Sequence, residues 1–165
     1  MEKGMTLVEI MVTLTIMLLV VGIGPSVMTN MSRFWRLTSA RANVQKNARI
    51  SLDIINRNLR EATASSVIIS QRSGQPPYSW ITFSIDKGEG DALGDYGVYQ
   101  EGKHLYYMKN GSTGTLAENL RFVAFTYPRT DNSGIISVSM TFEEDTFAGH
   151  TKALQLSIEK VRVMN

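Results

Sequence analysis

Residues 5–23, MTLVEIMVTLTIMLLVVGI, make a run of 19 residues in which Glu9 is the single charged side chain. As a helix rising about 1.5 Å per residue, the run covers roughly 28 Å, close to the hydrocarbon thickness of a bilayer. It has no polar face, so it cannot serve as an ordinary surface helix of a globular domain; it suits lipid or the flanks of other apolar helices. Gly22, Gly24 and Pro25 punctuate its end. Proline deletes one backbone hydrogen bond and bends a helix, and a kink is expected here rather than a stop, because helical periodicity resumes beyond it.

That resumed pattern runs through Leu37, Ala40, Val44, Ala48, Leu52, Ile55, Leu59 and Ala62 at steps of three and four, one apolar stripe. Arg36, Lys46, Arg49, Asp53, Asn56, Arg57 and Arg60 fall off it. The spacing predicts one helix from about Met5 to about Ala64, its first half fit for lipid and its second packed on a globular head. Between residues 31 and 64 seven basic residues stand against two acids, Asp53 and Glu61. A solvated face explains most of them; anionic headgroups or acidic patches on neighbours are the alternative. Phe34 and Trp35 sit where amphipathic rings anchor at a headgroup layer.

After Ala64 the period changes. Segments 66–70, 80–85, 96–100, 104–108, 121–127, 136–142 and 153–161 read as short strands, several alternating polar with apolar as half-buried antiparallel strands do. Glu101-Gly102-Lys103 and Asp131-Asn132-Ser133-Gly134 read as turns, and 71–79, with Pro76-Pro77, as a surface loop. The fold class is α+β: a long N-terminal helix laid on a C-terminal antiparallel sheet. At 165 residues the chain has room for one such unit and an extension.

A removable secretory signal fits residues 1–25 poorly. Lys3 alone is basic before the run and Glu2 offsets it, Glu9 interrupts the apolar region, and Pro25 would follow the small residues of the cut. An acid inside a span costs insertion energy and marks a functional site with a partner. Were the chain cut after Gly4, the new α-amine of Met5 would lie one helical turn from Glu9, an i to i+4 step. Within one chain the two charges would neutralise each other; between chains they would set the stagger of adjacent helices.

Gly4-Met5-Thr6-Leu7-Val8-Glu9 followed by an apolar run resembles the amino-terminal signature of type IV pilins and of the pseudopilins of type II secretion and competence systems. The resemblance implies a leader at 1–4, a transmembrane and assembly helix at 5–24, an amphipathic continuation at 25–64 and a β-rich head at 65–165. It implies cleavage by prepilin peptidase between Gly4 and Met5, N-methylation of Met5, and Glu9 as the assembly glutamate. The stretches NARISLDIINRNLREATASS, VYQEGKHLYYMKNG and LAENLRFVAFTYP resemble, in outline, J-type minor pseudopilins and W-type minor pilins. Arg60 and Ala62 then hold helix-end positions, and Leu120, Phe122 and Tyr127 a later strand. The implied setting is the bacterial inner membrane, with the head in the periplasm. The implied partners are prepilin peptidase, other major and minor subunits through the helix, membrane lipid before assembly, and secretion cargo. Arg33 and Arg36 make the far flank more basic than Met1 to Lys3, so a positive-inside count alone favours the opposite orientation.

Chemistry is sparse elsewhere. Cysteine is absent, and His104 and His150 lack metal-ligand spacing. Gly88 to Gly94 has the wrong spacing for a phosphate loop and carries two acids. Asp86, Glu89, Asp91 and Asp95 suggest calcium, which favours several oxygens on a loop, but without the EF-hand spacing they read as a solvated acidic loop, as does Glu143-Glu144-Asp145. Neither a cofactor, a metal nor a catalytic residue is expected, and nucleic acid is not an expected partner, since head basic residues form no stripe. The expected function is therefore structural; the alternative is a membrane-anchored exported binding protein, an adhesive or DNA-binding tip.

Overall fold

The computed structural model describes residues 5–86, 94–129, 134–147 and 151–163, with 147 and 151–153 as backbone only. One helix, α1 (Leu7–Glu61), runs unbroken through Pro25 for 55 residues, about 80 Å. Its C-terminal end comes three residues before the expected Ala64. Ala62 leaves helical geometry with φ −71° and ψ 151°, its N–H still donating to the Leu59 carbonyl at 3.3 Å, and a 3₁₀ turn follows at Ala64–Ser66. Arg60 lies in the last turn, where a cation meets the negative end of the helix dipole.

The helix has two halves. From Met5 to Arg36 every residue is exposed except the partly covered Gly24. Beyond it Ala40, Val44, Ala48, Ile55, Leu59 and Ala62 are buried as the stripe predicts, while Leu37 and Leu52 are half-buried. Asn56, expected off the stripe, is buried, and so is Ser51. The reason is geometric: 48, 51, 52, 55, 56 and 59 follow the i, i+3, i+4 spacing of a wide face, and the head wraps that face more fully than a single ridge.

The head holds two antiparallel sheets where one was expected. The strands β1 (Ile68–Ser70), β2 (Trp80–Ile85), β3 (Gly94–Glu101), β4 (His104–Lys109) and β5 (Ser112–Ala117) form a five-stranded meander in chain order. The strands β6 (Leu120–Thr126), β7 (Ile135–Phe147) and β8 (Thr151–Arg162) form a three-stranded sheet, and α1 lies mainly over β7 and β8. Ser66 belongs to the 3₁₀ turn rather than to β1, and Tyr127 falls just past β6. The turn at Gly102-Lys103 is where the sequence places it, with Gly102 alone at positive φ (60°). Asp131 to Ser133 lie outside the described residues.

The strand the sequence reading lacks, β5, carries Ser-Thr-Gly-Thr and leaves its first four residues exposed, so it shows no apolar alternation. Its signal is the turn before it. Asn110 and Gly111 both have positive φ (49° and 80°) between the paired Lys109 and Ser112, the Asn-Gly pattern of a two-residue type I′ hairpin.

Core residues from both sheets and the helix form one cluster, with Ile55, Leu59, Ile81, Val98, Leu105, Phe125 and Val138 fully enclosed. The sheets are joined by a buried amide. Gln100 donates from Nε2 to the carbonyls of Gly102 (2.9 Å) and Arg121 (3.2 Å), and its Oε1 accepts from the Val123 N–H at 3.1 Å. A buried N–H left without an acceptor costs its desolvation, so Gln100→Leu is expected to lower stability by about 1–3 kcal/mol, measured by chemical denaturation of the full chain in detergent.

Tyr107 ties the helix to β4, its hydroxyl donating to Asn58 Oδ1 at 3.2 Å. Burial pushes its pKa up to about 12, with Tyr96 and Glu61 adding to the effect. The folded chain thus holds this proton more tightly than the unfolded chain, whose tyrosines titrate near 10. That contribution is complete below pH 10 and is lost as pH climbs from 10 towards 12. Tyr127, also raised by burial, acts in the same direction. The thermal midpoint should stay level to about pH 9 and then fall, and Tyr107→Phe should flatten the fall.

Candidate functional site

The amino-terminal turn of α1 is built around Thr6. Its extended backbone (φ −78°, ψ 152°) makes it the N-cap, and its Oγ1 accepts from the Glu9 N–H at 3.4 Å. Glu9 reaches back: Oε2 accepts from the Thr6 N–H at 3.0 Å and from the Thr6 hydroxyl at 3.1 Å. This reciprocal capping box satisfies two donors that a helix start leaves bare, and sets the carboxylate at the positive end of the helix dipole. Thr-x-x-Glu ahead of an apolar run is the sequence signal of this partner, which composition alone does not single out.

The acid in the apolar run therefore has a local partner before any other chain is considered. All the bonds it makes fall on Oε2, so among the described residues Oε1 is open to a further donor. A cation could join at Oε1 without dismantling the cap. Met5 stands one residue before the N-cap and is 69% exposed, so it presents no obstacle to such an approach. Gly4, the other predicted cleavage residue, lies outside the described residues.

Downstream the helix hides its own polar groups. Thr13 donates to the Ile10 carbonyl (2.9 Å), Thr15 to Met11 (2.8 Å), Ser26 to Ile23 (2.8 Å) and Thr29 to Pro25 (2.8 Å). Each hydroxyl is satisfied within the helix, as hydrocarbon demands. An 18-residue window of α1 reaches a mean hydropathy of 2.4 with none of it buried, long and apolar enough to cross a membrane. Phe34 and Trp35 are exposed beside Met28 and Met31.

The other candidates are quieter. His104 opens β4 with its ring near Tyr106, centroids 6.0 Å apart, and His150 lies outside the described residues. In the acidic loop 87–93 also lies outside them; Asp95 Oδ1 accepts from the Ser84 hydroxyl at 3.4 Å. Among the described residues no group of three or more His, Asp or Glu side chains is placed to hold a metal. Arg57 pairs with Asp53 at 2.9 Å on the exposed helix face, and Arg60 stands with them and with Glu159 along an open cleft of about 480 Å³. Compared with protein-family models, curated proteins and solved structures, the chain matches none.

Capping by the Thr6 hydroxyl should be measurable. In Thr6→Val, the first-turn amides are expected to exchange hydrogen about fivefold faster in detergent micelles. Glu9→Gln, whose amide oxygen can close the same box, should leave those rates close to the parent's.

Proposed function

We propose that this chain is a minor pilin or pseudopilin, a structural subunit that acts by assembling rather than by catalysis. The reading rests above all on one observation: a single continuous helix whose first 30 or so residues are bare and whose first 20 or so are apolar, with one acid in its first turn, while its second half is fixed in the head. Such a surface requires lipid before assembly and neighbouring apolar helices after it.

In this reading prepilin peptidase removes residues 1–4, Met5 becomes the methylated amino terminus, and residues 5–24 hold the subunit in the bacterial inner membrane with the head in the periplasm. Helices then pack side by side in a type IV pilus or a type II secretion pseudopilus, with this subunit at the tip or starting the filament, where it meets other subunits and secretion cargo. The Met5 amine of one subunit approaches the open oxygen of a neighbour's Glu9. Two opposite charges in a low-dielectric surround attract strongly, and a helix displaced by a turn leaves both unpaired, so one stagger is favoured.

Mass spectrometry of the membrane-extracted protein tests the processing directly. The expected amino terminus is Met5 bearing one methyl group; an intact Met1, or a start near Pro25, contradicts the reading. Charge and cap separate in a second measurement. Glu9→Gln should keep the first turn intact yet drop out of sheared filaments, whereas Thr6→Val should still be incorporated.

A further inference from the structure

Strand β8 is amphipathic in the unexpected sense. Leu154, Leu156 and Ile158 point away from the helix and are 56%, 62% and 62% exposed, whereas Gln155, Ser157 and Glu159 on the opposite face are half-buried. The same outward face continues into the exposed Lys160 and Arg162. Among the described residues β8 pairs with β7 alone, so its other side is a strand edge. A long edge strand with three outward aliphatic side chains in alternate positions is a template for another strand, and folded proteins normally blunt such edges.

We propose that the outer edge of β8 is a docking site for an extended segment of a different polypeptide that presents two acidic and then three apolar side chains at alternate positions on one face, added antiparallel to the three-stranded sheet as a fourth strand. The bare backbone groups supply the ladder, Leu154, Leu156 and Ile158 supply apolar contact on one face, and Lys160 and Arg162 select acidic residues. Three occupants compete for such a surface, and charge and hydrogen bonding separate them. A lipid surface would cover the aliphatic side chains but leave the edge N–H and C=O groups without partners in hydrocarbon. A second copy paired antiparallel about Leu156 matches Leu154 with Ile158, but brings positions 152 and 160, both lysine, opposite each other. Moving the centre to Ile158 sets Leu156 against Lys160 and Leu154 against Arg162. An acidic partner strand satisfies the ladder, the aliphatic row and the cations together. The inference stands apart from the filament reading, since it uses no feature of the apolar half of α1.

The full-length protein in detergent micelles is titrated into a fluorescein-labelled peptide whose alternate residues, with threonine between them, are two glutamates and then three valines, and binding is read by fluorescence anisotropy at low salt. Saturable binding is expected, weakened about tenfold or more by Leu156→Lys, by Ile158→Glu, by N-methylation of alternate peptide amides, and by replacing the peptide's glutamates with lysines. The substituted side chains are already mostly in solvent, so circular dichroism should show both variants folded as the parent is. Absence of binding, equal affinity for the acidic and basic peptides, or indifference to the N-methyl groups overturns the proposal. So does efficient disulfide dimerisation of Leu156→Cys, which would give the edge to a second copy.

Discussion

One continuous helix, bare and apolar in its first half and fixed to the head in its second, is the constraint on which the structure depends. Because α1 is continuous from Leu7 to Glu61, whatever fixes its second half also aims its first. The fixing is done by the stripe from Ala40 to Ala62 against β7 and β8, supported by Asn43 reaching Glu144 Oε1 at 3.3 Å and Asn47 reaching the Glu118 carbonyl at 3.4 Å. Alanine at 40 and 48 and serine at 51 keep the helix close to the sheet, while Ile55 and Leu59 fill the deeper space near its end. The head is thereby clamped to a rod rather than tethered by a linker, and a force on the rod is delivered to the head.

The amino-terminal half solves a different problem. A polar group in hydrocarbon is tolerated only if its hydrogen bonds are made nearby. Thr13, Thr15, Ser26 and Thr29 do this by donating back to carbonyls three or four residues earlier, the last of them to Pro25. Glu9 does it through Thr6 at the one place where a helix supplies spare donors. An acid two turns further along would have no such partner in its own chain. Position and partner are therefore one feature, and they leave a carboxylate oxygen available without the cost of a wholly unpaired charge.

The helix, its length and its buried stripe were legible because periodicity reports burial directly, and most strands because alternation does the same. Where that link fails, reading failed. β5 is exposed along its first four residues, so only Asn110-Gly111 announces it. Asn56 is buried although polar, which no hydropathy pattern can reveal. The link between the two sheets includes Gln100, a buried polar residue whose three contacts come from positions 102, 121 and 123 and leave no local trace. At the candidate site Glu9 stands out as an anomaly of composition, whereas Thr6, ordinary in composition, is marked only by its spacing from Glu9.

The inverted polarity of β8 follows from where the helix lies. Only part of that strand's inner face can be covered by the apolar stripe, and Glu159 looks instead towards the cleft flanked by Arg49, Arg57 and Arg60. Polar residues on that face therefore suit the polar margin of the helix, and strand alternation carries the remaining positions outward. A strand required only to finish the sheet would have polar residues there, as β7 has Ser137, Ser139 and Thr141 on the same outer face. Leucine and isoleucine in those places reduce the solubility of an exposed edge and add nothing to the core. Their physical use lies in what is brought to them from outside the chain.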